Sequence, residues 1–205
     1  RNGIHIDAGR GTCGLTRQSP QQRGYPDELV EMFKATLPQE QRDLLFSDPD
    51  NPMWPSRGHI WPNFSMLNAG AYVAEGELYP HLFIRVWSPI DVNTTEIWSW
   101  ALVEASAPEE FKEKSMRAYT LTFGPSGTEE VDDAENFAGL MRVIRGEGSR
   151  RIDQILRMGT REQMEEYVIK DWKGPGTAVS TVYTDAGNRR FHQLWNEAMG
   201  REAAK

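Results

Sequence analysis

The segment FGPSGTEEVDDAEN, Phe123 to Asn136, sets five carboxylates behind a Gly-Pro turn with no lysine or arginine among them. Clustered carboxylates either solvate a helix start, exchange protons or hold a cation. Helical periodicity sorts them. Asp133, Phe137, Leu140 and Ile144 stand at i, i+4, i+7 and i+11 and share a face that is apolar apart from the aspartate. Glu129, Glu130 and Asp132 point more nearly to solvent and suit the positive end of the helix dipole. An inward carboxylate needs a cation, a metal or hydrogen-bond donors. For Asp133 the backbone of its own first turn is one such partner, and periodicity alone leaves that alternative open.

The other chemistry-bearing residues are sparse. Cys13 is the only cysteine, so the chain can form neither an internal disulfide nor a cysteine-held zinc or iron–sulfur centre. The four histidines, His5, His59, His81 and His192, are scattered, and no two share the i, i+3 or i+4 spacing of paired ligands on a helix. No complete metal site is visible. A net charge of −7 and the lack of a basic stripe argue against a nucleic-acid partner. No apolar run is long enough to span a membrane and no signal-like segment opens the chain, so a cytoplasmic location is expected. Seven tryptophans and eight phenylalanines promise large buried rings or a ring-lined pocket.

These residues must be positioned by a mixed set of elements. "NGIHID" reads as a strand remnant followed by glycine-rich loop, and the missing initiator methionine suggests a piece of something longer. Apolar spacing from Pro26 to Phe46 predicts two short amphipathic helices broken at Pro38. "GHIWPNFSMLNAGAYVA" reads as one extended segment with Pro62 at a bulge or edge. His81 to Pro89 and Thr94 to Ala105 alternate and are expected to pair as antiparallel neighbours. Trp61, Trp87, Trp98 and Trp100 are read mostly as core, and Arg85 as an outward, solvated charge. A capping box, Ser106-x-x-Glu109, opens a helix that stops near Gly124-Pro125. Further helices span roughly Glu129 to Ile144 and Asp185 to Gly200, with a mixed helical and loop region between them. The order is that of a single α+β domain over residues 1–205, in which a sheet wraps a pocket and a long helix closes it.

Several motifs occur together and in order: Pro-Asn-x-Ser, Trp-x-Pro, Glu-x-Trp-x-Trp, Ala-Pro-Glu-Glu and Phe-Gly-Pro-x-Gly-x5-Asp-Asp-x-Glu-Asn. From about Gly58 to Asn136 the chain resembles the catalytic domain of Rieske-type aromatic-ring-hydroxylating dioxygenases, large (α) subunit. The similarity runs on more weakly to "FHQLWNEAM". It implies a helix-grip fold, an antiparallel sheet curled around a long C-terminal helix and here incomplete at its N-terminus. It implies a mononuclear Fe(2+) held by two histidines and a carboxylate, with Asp133 at the carboxylate's position. The two histidines belong to an Asp/Glu-x-x-His-x4-His motif that this sequence lacks, and His59 and His81 do not replace them by position. The [2Fe-2S] Rieske domain is absent too.

By position, Phe123 matches a pocket aromatic and Leu67 a pocket aliphatic, although ordinary core packing is an equal expectation for both. Glu129 stands where some members carry an aromatic. His59 is given only a minor chance of facing the pocket. The implied activity adds both atoms of O2 to an aromatic ring to give a cis-dihydrodiol. Electrons come from NADH or NADPH through a reductase, often with a ferredoxin. Other α subunits and a small β subunit are the implied partners. A non-enzymatic helix-grip domain for hydrophobic ligands, or a truncated remnant without activity, is the alternative. The 205 residues alone are expected to bind iron weakly or not at all.

Overall fold

Alternating apolar residues and tight turns build the sheet first. A computed structural model of the chain describes residues 3–50, 52–151, 165–181 and 184–200. Strands β1 (Gly3–Asp7) and β2 (Gly11–Thr16) form a hairpin, so part of the glycine-rich stretch after Asp7, expected as loop, is strand. Its small residues hid a ladder whose apolar side, Ile4, Ile6 and Leu15, is buried. Helices α1 (Asp27–Thr36) and α2 (Gln39–Phe46) flank Pro38 as the periodicity predicts.

β3 (Trp54–Ile60) and β4 (Phe64–Ala74) are two antiparallel strands rather than one extended segment. Pro62 lies in the turn between them, where its missing N–H is needed by no partner strand. β5 (Glu77–Asp91) follows a two-residue turn in which Gly76 takes φ 74°, a left-handed conformation open to glycine at no cost. β6 (Thr94–Leu102) pairs antiparallel with β5, as expected. β7 (Thr177–Val179) joins the far edge beside β1, giving seven strands in the order β6-β5-β4-β3-β2-β1-β7.

α3 (Glu109–Thr122) begins at Pro108 without a side-chain cap. The expected capping box does not form, because the Ser106 hydroxyl donates to Glu104 Oε1 at 3.3 Å. α4 (Thr128–Ile144) and α5 (Ala186–Ala198) match their expected spans. Of the region expected to be mixed helix and loop, residues 152–164 lie outside the described residues, and the part after them includes β7.

Alternation along the strands sorts the helices onto the two faces of the sheet. Ile4, Ile6 and Leu15 bury against Leu45 and Trp54, and Trp54 meets the rings of Tyr25 and Phe33 at 5.7 Å. α1 and α2 therefore seal one face of β1–β3. The opposite face carries α3, whose Tyr119 ring lies 5.6 Å from Phe83, and α5, whose Phe191 ring lies 5.5 Å from His59. An antiparallel sheet with the C-terminal helix laid across it is the α+β helix-grip architecture that the sequence implies.

On β6 the packing departs from expectation. Trp98 and Trp100 stack on each other on the outer face and are 54% and 46% exposed. They were expected in the core, but an edge strand fills only one of its faces from its own domain.

Candidate active site

Ladder register decides what shares the helix-bearing face. His59, Ser65, Arg85 and Ser99 are cross-strand partners in one row, and Arg57, Leu67, Phe83 and Ala101 in the next. α3 covers Phe83 and His81 through Phe123, whose ring lies 4.9 Å and 5.7 Å from theirs. α5 covers His59 and Trp61 through Phe191. Half-buried Ser65 and Leu67 run in the strip between the two helices.

Arg85 anchors this face. It is 5% exposed, pairs with Glu130 and donates to the Phe123 carbonyl at 3.3 Å and to Ser99 Oγ at 3.3 Å. Its guanidinium carbon lies 4.6 Å from the Phe83 ring centre and 5.8 Å from that of Trp87. This corrects two sequence expectations at once: Arg85 is not a solvated charge, and Glu130 is not a free helix-start carboxylate. Burying the guanidinium requires its partners, and Glu130 at the first turn of α4 is within reach.

That ion pair sets the orientation of α4. Glu130 holds Arg85, and the Phe137 ring stands edge-on to Trp87 at 6.3 Å. Residues 130, 133 and 137 share a stripe at i, i+3 and i+7. Asp133 therefore sits on the stripe turned toward β5, between two residues that touch the strand. It is nevertheless exposed and makes no hydrogen bond or ion pair with any described residue, and Phe137, Leu140 and Ile144 are 53%, 51% and 45% exposed. The buried, inward setting expected for this face is corrected: the periodicity names the side that is made to be covered, and among the described residues little covers it. Glu129 is exposed as well. Phe123 is half-buried in the aromatic group with His81 and Phe83, and Leu67 is half-buried on the open strip.

Two buried histidines also belong to this face. His81 is 3% exposed, its Nδ1 has no partner, and burial followed by the Arg23 charge pulls its pKa down to about 4. His5 is 8% exposed with an unpartnered Nε2, and burial followed by the Arg57 charge lowers its pKa. His5, Thr12, Arg57 and His59 line a cavity of about 570 Å³ beneath the start of α5. Sequence reading gave His59 a small chance of facing a pocket and missed His5 and Arg57. The signal that could have found them is alternation in β1 and β3, which sets both opposite the apolar core residues.

No family model matches the chain. Among curated proteins it is 33% identical over 172 residues to the large oxygenase component of the naphthalene 1,2-dioxygenase system of Pseudomonas fluorescens, covering 82% of this chain and 35% of that protein. It is 40% identical over 136 residues to the corresponding component of Pseudomonas aeruginosa, covering 66% and 27%. It is 33% identical over 116 residues to the chlorobenzene dioxygenase α subunit of a Cupriavidus strain, covering 57% and 25%. The crystal structure of naphthalene 1,2-dioxygenase from a Rhodococcus species, bound to indole, superposes with a TM-score of 0.81 at 30% identity, over 99% of this chain and 46% of that one. The chain is thus similar to one part of the large oxygenase subunits of the aromatic-ring dioxygenase family.

The chain spans 25% to 35% of the length of these curated relatives. The family implies a two-histidine, one-carboxylate iron site. Among the described residues no three His, Cys, Asp or Glu side chains converge on a point that could hold a metal. These residues therefore do not make an iron site by themselves. Asp133 is an exposed carboxylate on the side of α4 that carries Glu130 and Phe137. No helix among the described residues is long and apolar enough to cross a membrane.

Proposed function

We propose that this chain forms the ring-binding part of the catalytic domain in the large subunit of an aromatic-ring dioxygenase, with Asp133 as the carboxylate ligand of its mononuclear iron. The observation that carries the reading is the placement of Asp133. It stands between Glu130 and Phe137 on the stripe of α4 that faces β5, unengaged, in a chain whose relatives are ring-dioxygenase subunits. The reading assigns the two histidine ligands and the [2Fe-2S] centre to sequence outside these 205 residues.

The overall reaction joins one ring, one O2, two electrons and two protons into one cis-dihydrodiol. NADH or NADPH supplies the electrons through a reductase, with or without a ferredoxin, in the cytoplasm. Other large subunits and a small β subunit complete the assembly.

The chain's own residues then bind and orient. Leu67 and Phe123 give the ring an apolar wall, and the Arg85–Glu130 pair fixes α4 against β5 so that Asp133 is held at one depth. Desolvated aromatic walls also keep bulk water from the reacting face. Glu129, exposed on α4, takes no part in this wall.

The test is isotopic. The full-length subunit, reconstituted with its electron donors, is given a mixture of 18O2 and 16O2 and an aromatic hydrocarbon. Products carrying either two heavy oxygens or none are expected, since both atoms come from one molecule. Singly labelled product, or none under reducing conditions, contradicts the reading.

A further inference from the structure

The row His5–Gly14–Arg57 crosses three strands on the helix-bearing face. Gly14 is its centre, and a Cβ there would meet Arg57 Cγ at 3.2 Å and Nε at 3.4 Å. The missing side chain lets Arg57 lie flat across β2 toward His5, which is why its charge is felt by the imidazole. The next row, Thr12 and His59, continues the same surface.

Above this surface begins α5, thirteen residues long. The first-turn amides of a helix have no acceptor within the helix, and its N-terminus carries partial positive charge. Here the first turn contains Gly187, where a Cβ would stand 3.0 Å from His5 Cε1 and 3.4 Å from Nε2. The His5 edge that faces α5 is thus the one whose Nε2 is buried without a partner. Beside this contact opens the cavity of about 570 Å³, whose lining includes Arg57, Thr12, Thr184 and Phe191, with no aspartate or glutamate. Asp7 stands nearby but outside the lining; it accepts from the Gly9 amide at 2.9 Å and faces Arg190 at 4.0 Å. Asp185, also outside it, is buried at the position before α5.

We infer that this cavity is a carboxylate-binding subsite, and that the ring substrate of this chain is an aromatic acid. An arginine and a helix N-terminus opened by glycine border one cavity, with an unpartnered imidazole nitrogen buried at its wall, and a carboxylate accepts from donors of these kinds. Phe191 and Trp61, in contact at 4.9 Å, supply the aromatic wall beside it. The assignment of an aromatic ring rests on the function proposed above; the anionic group rests on the cavity.

The experiment is equilibrium dialysis of the 205-residue chain against benzoate, benzyl alcohol and acetate, with folding of each variant checked by circular dichroism. Benzoate is expected to bind more tightly than either of the others. Arg57→Gln should lower the benzoate-to-benzyl alcohol affinity ratio about tenfold or more, and His5→Phe, which keeps the ring and drops the nitrogen, about threefold. If Arg57→Gln does not fold, His5→Phe decides.

Equal binding of benzoate and benzyl alcohol, or a ratio unchanged in the folded variants, overturns the subsite while leaving the ring pocket standing. Acetate bound as tightly as benzoate overturns the aromatic-acid assignment. Binding of neither aromatic probe overturns the subsite and the pocket reading together.

Discussion

Arg85 and Glu130 show how much one ion pair decides. Removing Glu130 leaves a guanidinium that is 5% exposed without its carboxylate. Glu130→Ala should therefore cost roughly 2 kcal/mol in urea unfolding. A joint Arg85→Met, Glu130→Leu replacement should recover most of that loss, because an apolar pair of similar volume needs no partner.

His81 gives a pH dependence. In the unfolded chain its imidazole takes up a proton near 6.5, and in the folded chain only near 4, because burial resists the charge. Stability is thus complete above pH 6.5 and falls as the pH drops toward 4, by on the order of 3 kcal/mol. His81→Phe should flatten urea midpoints over that window; an unchanged slope would show that His81 is not the group responsible. Neither residue's setting was legible in the sequence. Alternation put Arg85 on a strand face, but only ladder register and the docking of α4 show that Glu130 waits above it.

At the scale of elements, helices were the most legible. α1, α2, α4 and α5 lie close to the spans read from apolar spacing and proline positions. Strands were less so: β2 is built mostly from glycine and small residues, and the β3–β4 turn hides inside a stretch that reads as one extended segment. α4 shows the limit of periodicity most clearly. Its apolar stripe was read correctly as a stripe, but the stripe is exposed, since a pattern specifies what a helix can bury and not what arrives to bury it.

Two substitutions separate the cases. Leu140→Ser should change the chain's stability by no more than about 0.5 kcal/mol. Trp54→Ala, in the core between β1–β3 and the first two helices, should cost roughly 3–5 kcal/mol. If Leu140→Ser is as damaging as Trp54→Ala, the stripe is packed in solution and this description of α4 is wrong.

Across the whole molecule, one face of the sheet holds α3, α5 and the candidate site, α1 and α2 cover the β1–β3 part of the other face, and the β6 half of that other face is left bare. Trp98, Trp100 and Leu102 are 54%, 46% and 41% exposed along β6, and Ile60, 53% exposed on β3, ends the cross-strand row that reaches Trp98 through Phe64 and Val86. Such a surface should bind the dye ANS, and Trp98→Lys with Trp100→Thr should remove most of that fluorescence without lowering the melting temperature by more than a few degrees. The bare stripe of α4, the bare outer face and the lone carboxylate agree with a chain that spans 25% to 35% of the length of its curated relatives.

Asp133 is the proposed carboxylate ligand of the iron. The direct measurement is iron stoichiometry and ring oxidation in the purified full-length subunit beside its Asp133→Ala variant, with the visible spectrum of the [2Fe-2S] centre as the internal control. The variant should lose about one iron per subunit and all ring oxidation while the [2Fe-2S] spectrum stays intact. Iron and turnover both retained by Asp133→Ala would rule out Asp133 as the ligand.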